Sequence, residues 1–331
     1  MSKRYVLGIE TSCDDTAAAV VTPEGEVLSS VRISQDAIHA EFGGVFPEYA
    51  SRAHIFNILP VVDQAVKEAG VSVEELEAIG VTNGPGLVGS LLVGINTAAA
   101  LGMAWGKEVY AVNHLRGHIR SVNLEGQEIE YPSLLLLISG GHTIMGVMKS
   151  RDDFEVIGQT RDDSLGEAYD KVGRMIGLEY PAGRAMDDLS TVGEASIKFP
   201  TPLLNDGYEF SFSGLKSSVR RYLEKTDTHV AADIAASFSR SVVTVLQKKI
   251  RLAIKEYDPA SLVVVGGVAA SPVLRGMFRT ICDETGVELR LPPIKWSTDN
   301  AAMIALATYD YIDKGIQLDL APRYRVPVND Y

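Results

Sequence analysis

Residues 5–22 read YVLGIETSCDDTAAAVVT, and residues 133–148 read SLLLLISGGHTIMGVM. Each stretch is an apolar run of strand length, a short polar turn and a second apolar run, the pattern of two buried strands joined by a tight connection. A third strand follows each pair, EVLSSVRI at 26–33 and FEVIGQT at 154–160, so the plan recurs after about 130 residues. Further strands are expected at AIGVTNG, EVYAVN, SLVVVGGVAAS and ELRLPP, and helices around 164–177, 214–225, 231–257 and 299–314. Strands alternating with helices in a duplicated order predict an α/β protein of two similar lobes around a central nucleotide cleft. The expected division is residues 1–110 plus about 300–331 for the N-terminal lobe and 111–299 for the C-terminal lobe.

The chain has 331 residues, 46% of them hydrophobic, enough to bury large cores. Cys13 and Cys282 are far apart and belong to no CxxC, which suits a reducing compartment. The opening MSKRYVLGIETS breaks its apolar run at Glu10, so no signal peptide is expected and the protein reads as cytoplasmic. GVTNGPGLVGSLLVGINTAAALGMAWG, from Gly80 to Gly106, is uncharged over a spanning length. Its Asn-Gly-Pro-Gly start and its small residues predict a loop and a buried helix, not a membrane span. The net charge of −12 excludes a surface that binds nucleic acid everywhere. RNA would meet a local patch, Arg116 with Arg120, or Lys216, Arg220, Arg221 and Lys225; each set also reads as a solvated helix face.

Three turns carry the ligand signal. Glu10–Thr16 (ETSCDDT) and Ser139–Thr143 (SGGHT) offer hydroxyls and backbone N–H groups suited to phosphate or carboxylate. Gly266–Ser271 (GGVAAS) joins a buried strand to a helix, where small residues let a nucleotide approach the helix N-terminus. Residues 111–118, AVNHLRGH, hold two of the six histidines four positions apart. On a helix His114 and His118 share a face about 5–6 Å apart, a metal-ligand spacing that a structural pair also satisfies. Leu115 follows the first histidine where a zincin needs Glu, which excludes that peptidase chemistry. Arg116, two steps on, should point away from any ion.

The chain resembles the tRNA adenosine threonylcarbamoyltransferases, the TsaD family of the actin, Hsp70 and sugar-kinase superfamily (ASKHA). The resemblance rests on LGIETSCDDTAAAV, HAEFGGVFPEYASRAH, NGPGLVGSLLVG, NHLRGH, LISGGHT, GEAYDKVGRMIGLEYPAG, FSFSGLKSSV, VVGGVAAS and STDNAAMIA, spread almost end to end. It implies transfer of a threonylcarbamoyl group from threonylcarbamoyl-AMP to the exocyclic amine of the adenosine 3′ of the anticodon, releasing AMP. It implies a metal on His114, His118 and Asp299, iron(II), with zinc as an alternative that this donor set also suits. Taken alone, Asp299 could be a helix N-cap.

By the same resemblance Leu137, Ile138, Ser139, Gly140 and Gly141 would contact the acyl phosphate, and Asp170, Gly183, Asp187 and Ser271 would hold the nucleoside. Ser271 stands where the family usually has Asn, a change worth about 0.5–1.5 kcal/mol of binding. Arg116 for Glu, Ala182 for Gly, and Arg184-Ala185-Met186 are further departures. Glu10 and Asp14 are candidates to collect the amine proton, or else stabilise a charged turn. The partners implied are tRNA, a paralogous TsaB-like subunit and a small TsaE-like ATPase, with no membrane. Alternatives are an ATPase or kinase of the same superfamily and a non-catalytic scaffold paralogue. The triad of His114, His118 and Asp299 favours acyl transfer, since kinases of this fold use carboxylates and magnesium rather than imidazoles.

Overall fold

The two sheets repeat one connectivity. The computed structural model describes residues 4–226 and 228–331, and the chain forms two compact units, Met1–Glu128 with Asp299–Tyr331, and Ile129–Thr298. The first unit runs β1 (Tyr5–Glu10), β2 (Asp15–Val21), β3 (Val27–Ser34), α1 (Asp36–Ala40), α2 (Pro47–Ala69), β4 (Leu76–Gly84), α3 (Val88–Trp105), β5 (Glu108–Asn113) and α4 (His114–Arg120). The second runs β6 (Ser133–Ile138), β7 (Thr143–Met148), β8 (Phe154–Gln159), α5 (Leu165–Met175), α6 (Gly183–Val192), α7 (Ser213–Lys225), α8 (Ala231–Tyr257), β9 (Ser261–Val265), α9 (Pro272–Thr285) and β10 (Glu288–Arg290). The chain then re-enters the first unit as α10 (Ala301–Lys314).

Strand order is β3-β2-β1-β4-β5 in one sheet and, read from the matching edge, β8-β7-β6-β9-β10 in the other. In each, an antiparallel meander of three strands is extended by two parallel strands. The duplication expected from the sequence is therefore present. The division differs: it falls after Glu128, not near residue 110. Glu108–Asn113 pairs with β4 as the edge strand of the first sheet, and α4 packs on α10, so residues 111–128 belong with the first unit.

Strand alternation sorts the first unit into faces. Tyr5, Leu7 and Ile9 of β1 bury themselves against Ile58, Val61 and Val62 of α2 and Leu91 and Ile95 of α3. The even positions face α10, which lies so close that a Cβ on Gly8 would sit 2.3 Å from the Ala301 carbonyl oxygen and one on Gly80 would sit 1.8 Å from Thr308 Oγ1. Glu10 and Thr82 share this parity at the strand ends, which aims their side chains to the side where α10 begins.

The helix expected to be buried in Gly80–Gly106 is α3, and only one face of it is covered. Ser90, Leu91, Gly94, Ile95, Ala98 and Gly102 are buried, whereas Val88 and Leu92 are exposed and Met103 is 88% exposed. Among the described residues it is the one helix long and apolar enough, by length and composition, to cross a membrane. The second unit packs Leu134, Leu136 and Ile138 of β6 and Leu262 and Val264 of β9 against Phe238, Val242 and Leu246 of α8 and Phe278 of α9.

Candidate functional site

In the first unit β1, β4 and β5 are parallel, so the loops after them leave at one edge, where α/β sheets place ligand sites. That edge brings Glu10, Ser12, Thr82 and the start of α4 together. Asn113 caps α4, its Oδ1 accepting from Leu115 N at 2.9 Å. His114 and His118 then fall on one face as expected, with ring centroids 4.6 Å apart. Asp299 reaches them from the segment before α10. Its position is freed because Asn300, not Asp299, caps α10, accepting from Met303 N at 2.9 Å.

Asp299 Oδ1 lies 3.2 Å from His118 Nε2 and 3.6 Å from His114 Nε2. The three donors lie within 4.8 Å of one another. Metal–ligand bonds of 2.0–2.1 Å in tetrahedral array separate donors by about 3.4 Å. Both imidazoles are buried; His118 Nε2 faces only Asp299, and its Nδ1 has no hydrogen-bond partner among the described residues. An ion bound at Nε2 would give that nitrogen and Asp299 a common partner in a site closed to water. The donor set and its separations thus fit a divalent cation.

The outer contacts are specific. His114 Nδ1 lies 2.9 Å from Glu10 Oε2, leaving Nε2 for the shared centre. The same oxygen accepts from Thr82 Oγ1 at 2.6 Å, and Glu10 Oε1 accepts from Ser12 N at 2.5 Å. Burial works to lower the His114 pKa, but the carboxylates of Glu10 and Asp299 outweigh it and raise the imidazole to about 9. Burial opposes the charge on Glu10 and Asp299 too, and the adjacent His114 cation overrides it, holding both below the usual carboxylate range. Glu10 is 1% exposed and has both oxygens engaged, by Ser12 N on one and by Thr82 and His114 on the other.

Asp14 is raised by burial, against a hydrogen bond from Cys13, and its carbonyl accepts from Gln35 N at 3.2 Å. Asp15, which the sequence reading passed over, pairs with Arg32 at 3.1 Å, and its Oδ1 is buried without a hydrogen-bond partner among the described residues. Burial pushes it up to about 7, against Arg32.

Arg116 and Arg120 do not form an exposed basic face. Every residue of α4 is buried; Arg120 pairs with Asp310 at 3.3 Å, and Arg116 stacks on Tyr331 with its guanidinium carbon 3.7 Å from the ring centre. On α7, Lys216 pairs with Asp163 and Arg220 with Glu224, while Arg221 and Lys225 are exposed.

In the second unit the loops after β6 and β9, parallel neighbours, share an edge. Gly266 has φ 94°, and a Cβ there would lie 2.4 Å from the Ile138 carbonyl oxygen, so glycine lets the two loops meet. Leu137 and Ile138 have wholly buried side chains, so any ligand contact from them is through the backbone. Ser139 closes its turn, its N donating to His142 O at 2.8 Å, and Gly140 and Gly141 are open above it. Asp170 Oδ1 accepts from Ala182 N at 2.9 Å, fixing the turn before Gly183 and α6. Asp187 on α6 is raised by burial, against a hydrogen bond from Ser271, whose Oγ also accepts from Leu274 N at 3.2 Å. The structure thus joins Asp187 to Ser271 and Asp170 to the Gly183 turn.

Comparisons with known proteins bear on the family. The sequence model of the family described as TsaD, tRNA N6-adenosine threonylcarbamoyltransferase, matches residues 26–306. Enzymes of that name from Geobacillus kaustophilus and Bacillus subtilis are 49% and 46% identical, over 96% and 95% of this chain and 94% and 92% of theirs. Among solved structures, HypF from T. kodakarensis superposes with TM-score 0.65 at 12% identity, over 96% of this chain and 49% of that one. Component A of the Acidaminococcus fermentans (R)-2-hydroxyglutaryl-CoA dehydratase gives 0.55 at 16%, over 93% and 99%. These two likenesses show the fold, an actin-like α/β architecture. The near-complete sequence matches show more: the chain belongs to the tRNA N6-adenosine threonylcarbamoyltransferase family.

Proposed function

We propose that His114, His118 and Asp299 hold one divalent ion and that this centre serves transfer of a threonylcarbamoyl group from threonylcarbamoyl-AMP to N6 of the adenosine 3′ of the anticodon. Family membership makes the chain a transferase that modifies tRNA. The observation that carries the metal reading is the buried pair of imidazoles whose Nε2 atoms converge on Asp299 Oδ1, the far nitrogen of His114 being already held by Glu10. Iron(II) is our assignment, with zinc the alternative for two imidazoles and a carboxylate.

When bound, the ion supplies Lewis acidity toward acyl oxygens and a template for the threonyl part. Glu10 accepts the Nδ1 proton of His114 and so fixes the tautomer that presents Nε2; Thr82 and Ser12 hold Glu10 in turn. The attacking amine is a weak nucleophile because its lone pair is delocalised into the purine, so positioning must supply much of the acceleration. Ser139, Gly140 and Gly141 would present hydroxyl and backbone N–H groups to the acyl phosphate, with Leu137 and Ile138 contributing backbone alone. Asp170, the Gly183 turn, Asp187 and Ser271 would hold the nucleoside, the carboxylates suiting ribose hydroxyls. Asp14, raised by burial, would collect the amine proton, with Asp15 the neighbouring carboxylate of similar disposition.

The outer faces of α2 and α3 carry Ile55, Phe56 and Leu59, 61%, 78% and 58% exposed, and Met103, 88% exposed. An apolar two-helix surface of this kind suits a partner subunit, which we assign as the paralogous TsaB-like protein. A small TsaE-like ATPase and a cytoplasmic location complete the reading. With −12 net charge, the chain alone would bind tRNA weakly, and a partner complex would bind it with steep salt dependence.

The test is to incubate the chain with tRNA, threonine, bicarbonate, ATP, the adenylate-forming enzyme and the partners, and to analyse nucleosides by mass spectrometry. Threonylcarbamoyladenosine should form with wild type and be lost with His118→Ala and Asp299→Ala. Full activity in protein shown by elemental analysis to hold no metal would sink the triad.

A further inference from the structure

We propose that residues 327–331 form a strap that fixes the start of α4 and so presets His114 and His118, with Asn113 and Arg116 as its fasteners. The proposal rests on the metal reading above and adds positioning residues to it.

The strap arrives along the strand ends. Arg323 N donates to Asn83 O at 2.7 Å, and a Cβ on Gly84 would sit 2.0 Å from the Arg323 carbonyl oxygen, so the segment is pressed against the end of β4. It then crosses the end of β5. Asn113 Nδ2 donates to the carbonyls of Pro327 and Asp330, both at 2.9 Å, while Oδ1 of the same amide caps α4. Arg116 Nε donates to Asp330 O at 3.0 Å and Nη2 to Asn329 O at 3.3 Å. Its guanidinium carbon lies 3.7 Å over the ring centre of Tyr331, whose hydroxyl accepts from Lys314 Nζ at 2.5 Å. One side chain thus joins the helix cap to the strap, and a second, two residues beyond His114, clamps it again.

Main-chain carbonyls accept all four bonds, and a planar guanidinium spans two of them in a fixed fork while stacking on an aromatic ring, a geometry an ammonium does not reproduce. Position 116 therefore holds the helix by its far side while the histidines project from the other. Loss of an outer contact that orients a ligand typically weakens metal affinity about 10- to 100-fold.

The experiment uses cobalt(II) as probe, titrated into the metal-free chain, with thermal unfolding of each variant measured alongside. Arg116→Ala, and the chain shortened after Val326, should each weaken cobalt(II) binding about 10- to 100-fold, with Arg116→Lys between them and wild type. A merely structural strap would lower the unfolding temperature and leave the dissociation constant unchanged, which would overturn the proposal. If the shortened chain does not fold, the Arg116 pair decides alone. Failure of the metal reading looks different: wild type would not bind, or His118→Ala would bind as well as wild type.

Discussion

Metal binding to this centre should release a proton, and the amount follows from the His114 environment. Burial disfavours its charged form, yet Glu10 at 2.9 Å and Asp299 at 3.6 Å raise it to about 9 in the metal-free protein. At pH 7 the imidazole must lose its proton before Nε2 can ligate, a penalty of about 100-fold, or about 2.7 kcal/mol. Affinity should therefore climb about tenfold per pH unit and level off near pH 9. The stability of the metal-free protein moves the other way. A histidine whose folded value lies above its unfolded one contributes stability that is complete below about pH 6.5 and is lost as pH rises through about 9, at most about 3 kcal/mol here. Calorimetric titration of cobalt(II) between pH 6.5 and 8.5, in buffers of different ionisation enthalpy, reads slope and proton count together. One proton should be released per ion. In Glu10→Gln the slope should flatten, because the main partner of the imidazolium is gone. A flat profile in wild type, with no proton released, would refute the reasoning.

Gly8→Ala should destabilise the first unit by about 3 kcal/mol, because the new methyl meets the backbone of α10 at 2.3 and 2.6 Å, and urea unfolding measures it. Asp15→Asn should stabilise the metal-free chain progressively from pH 4 to 7, by at most about 4 kcal/mol, because a carboxyl raised to about 7 loses stability as pH climbs from its unfolded value through its folded one; equal melting shifts at both ends of that range would contradict it. Phe56→Asp should abolish association with the paralogous subunit proposed above in sedimentation runs while metal content stays at the wild-type level, since the ring is 78% exposed on α2.

The duplicated strand plan at 5–33 and 133–160 was legible because period and turn chemistry are local properties, and both sheets formed as read. The His114–His118 spacing was legible for the same reason, since one helical turn fixes it. Asp299 entered by resemblance, because nothing in the string STDN distinguishes a cap from a ligand; the structure assigns capping to Asn300 and leaves Asp299 beside the histidines. Position 116 reads the other way. Helical geometry turns it from the metal side, but whether that side faces water depends on residues more than 200 positions later, and they bury it. Separations of 104 and 72 positions likewise hid Glu10 as the partner of His114 and Thr82 as the hydroxyl that holds it. Periodicity reports what neighbours in sequence do, so the sequence determined the elements and their duplication. Charge neutralisation, burial and ligand orientation depend on which elements the fold brings side by side, and only the tertiary structure decided those.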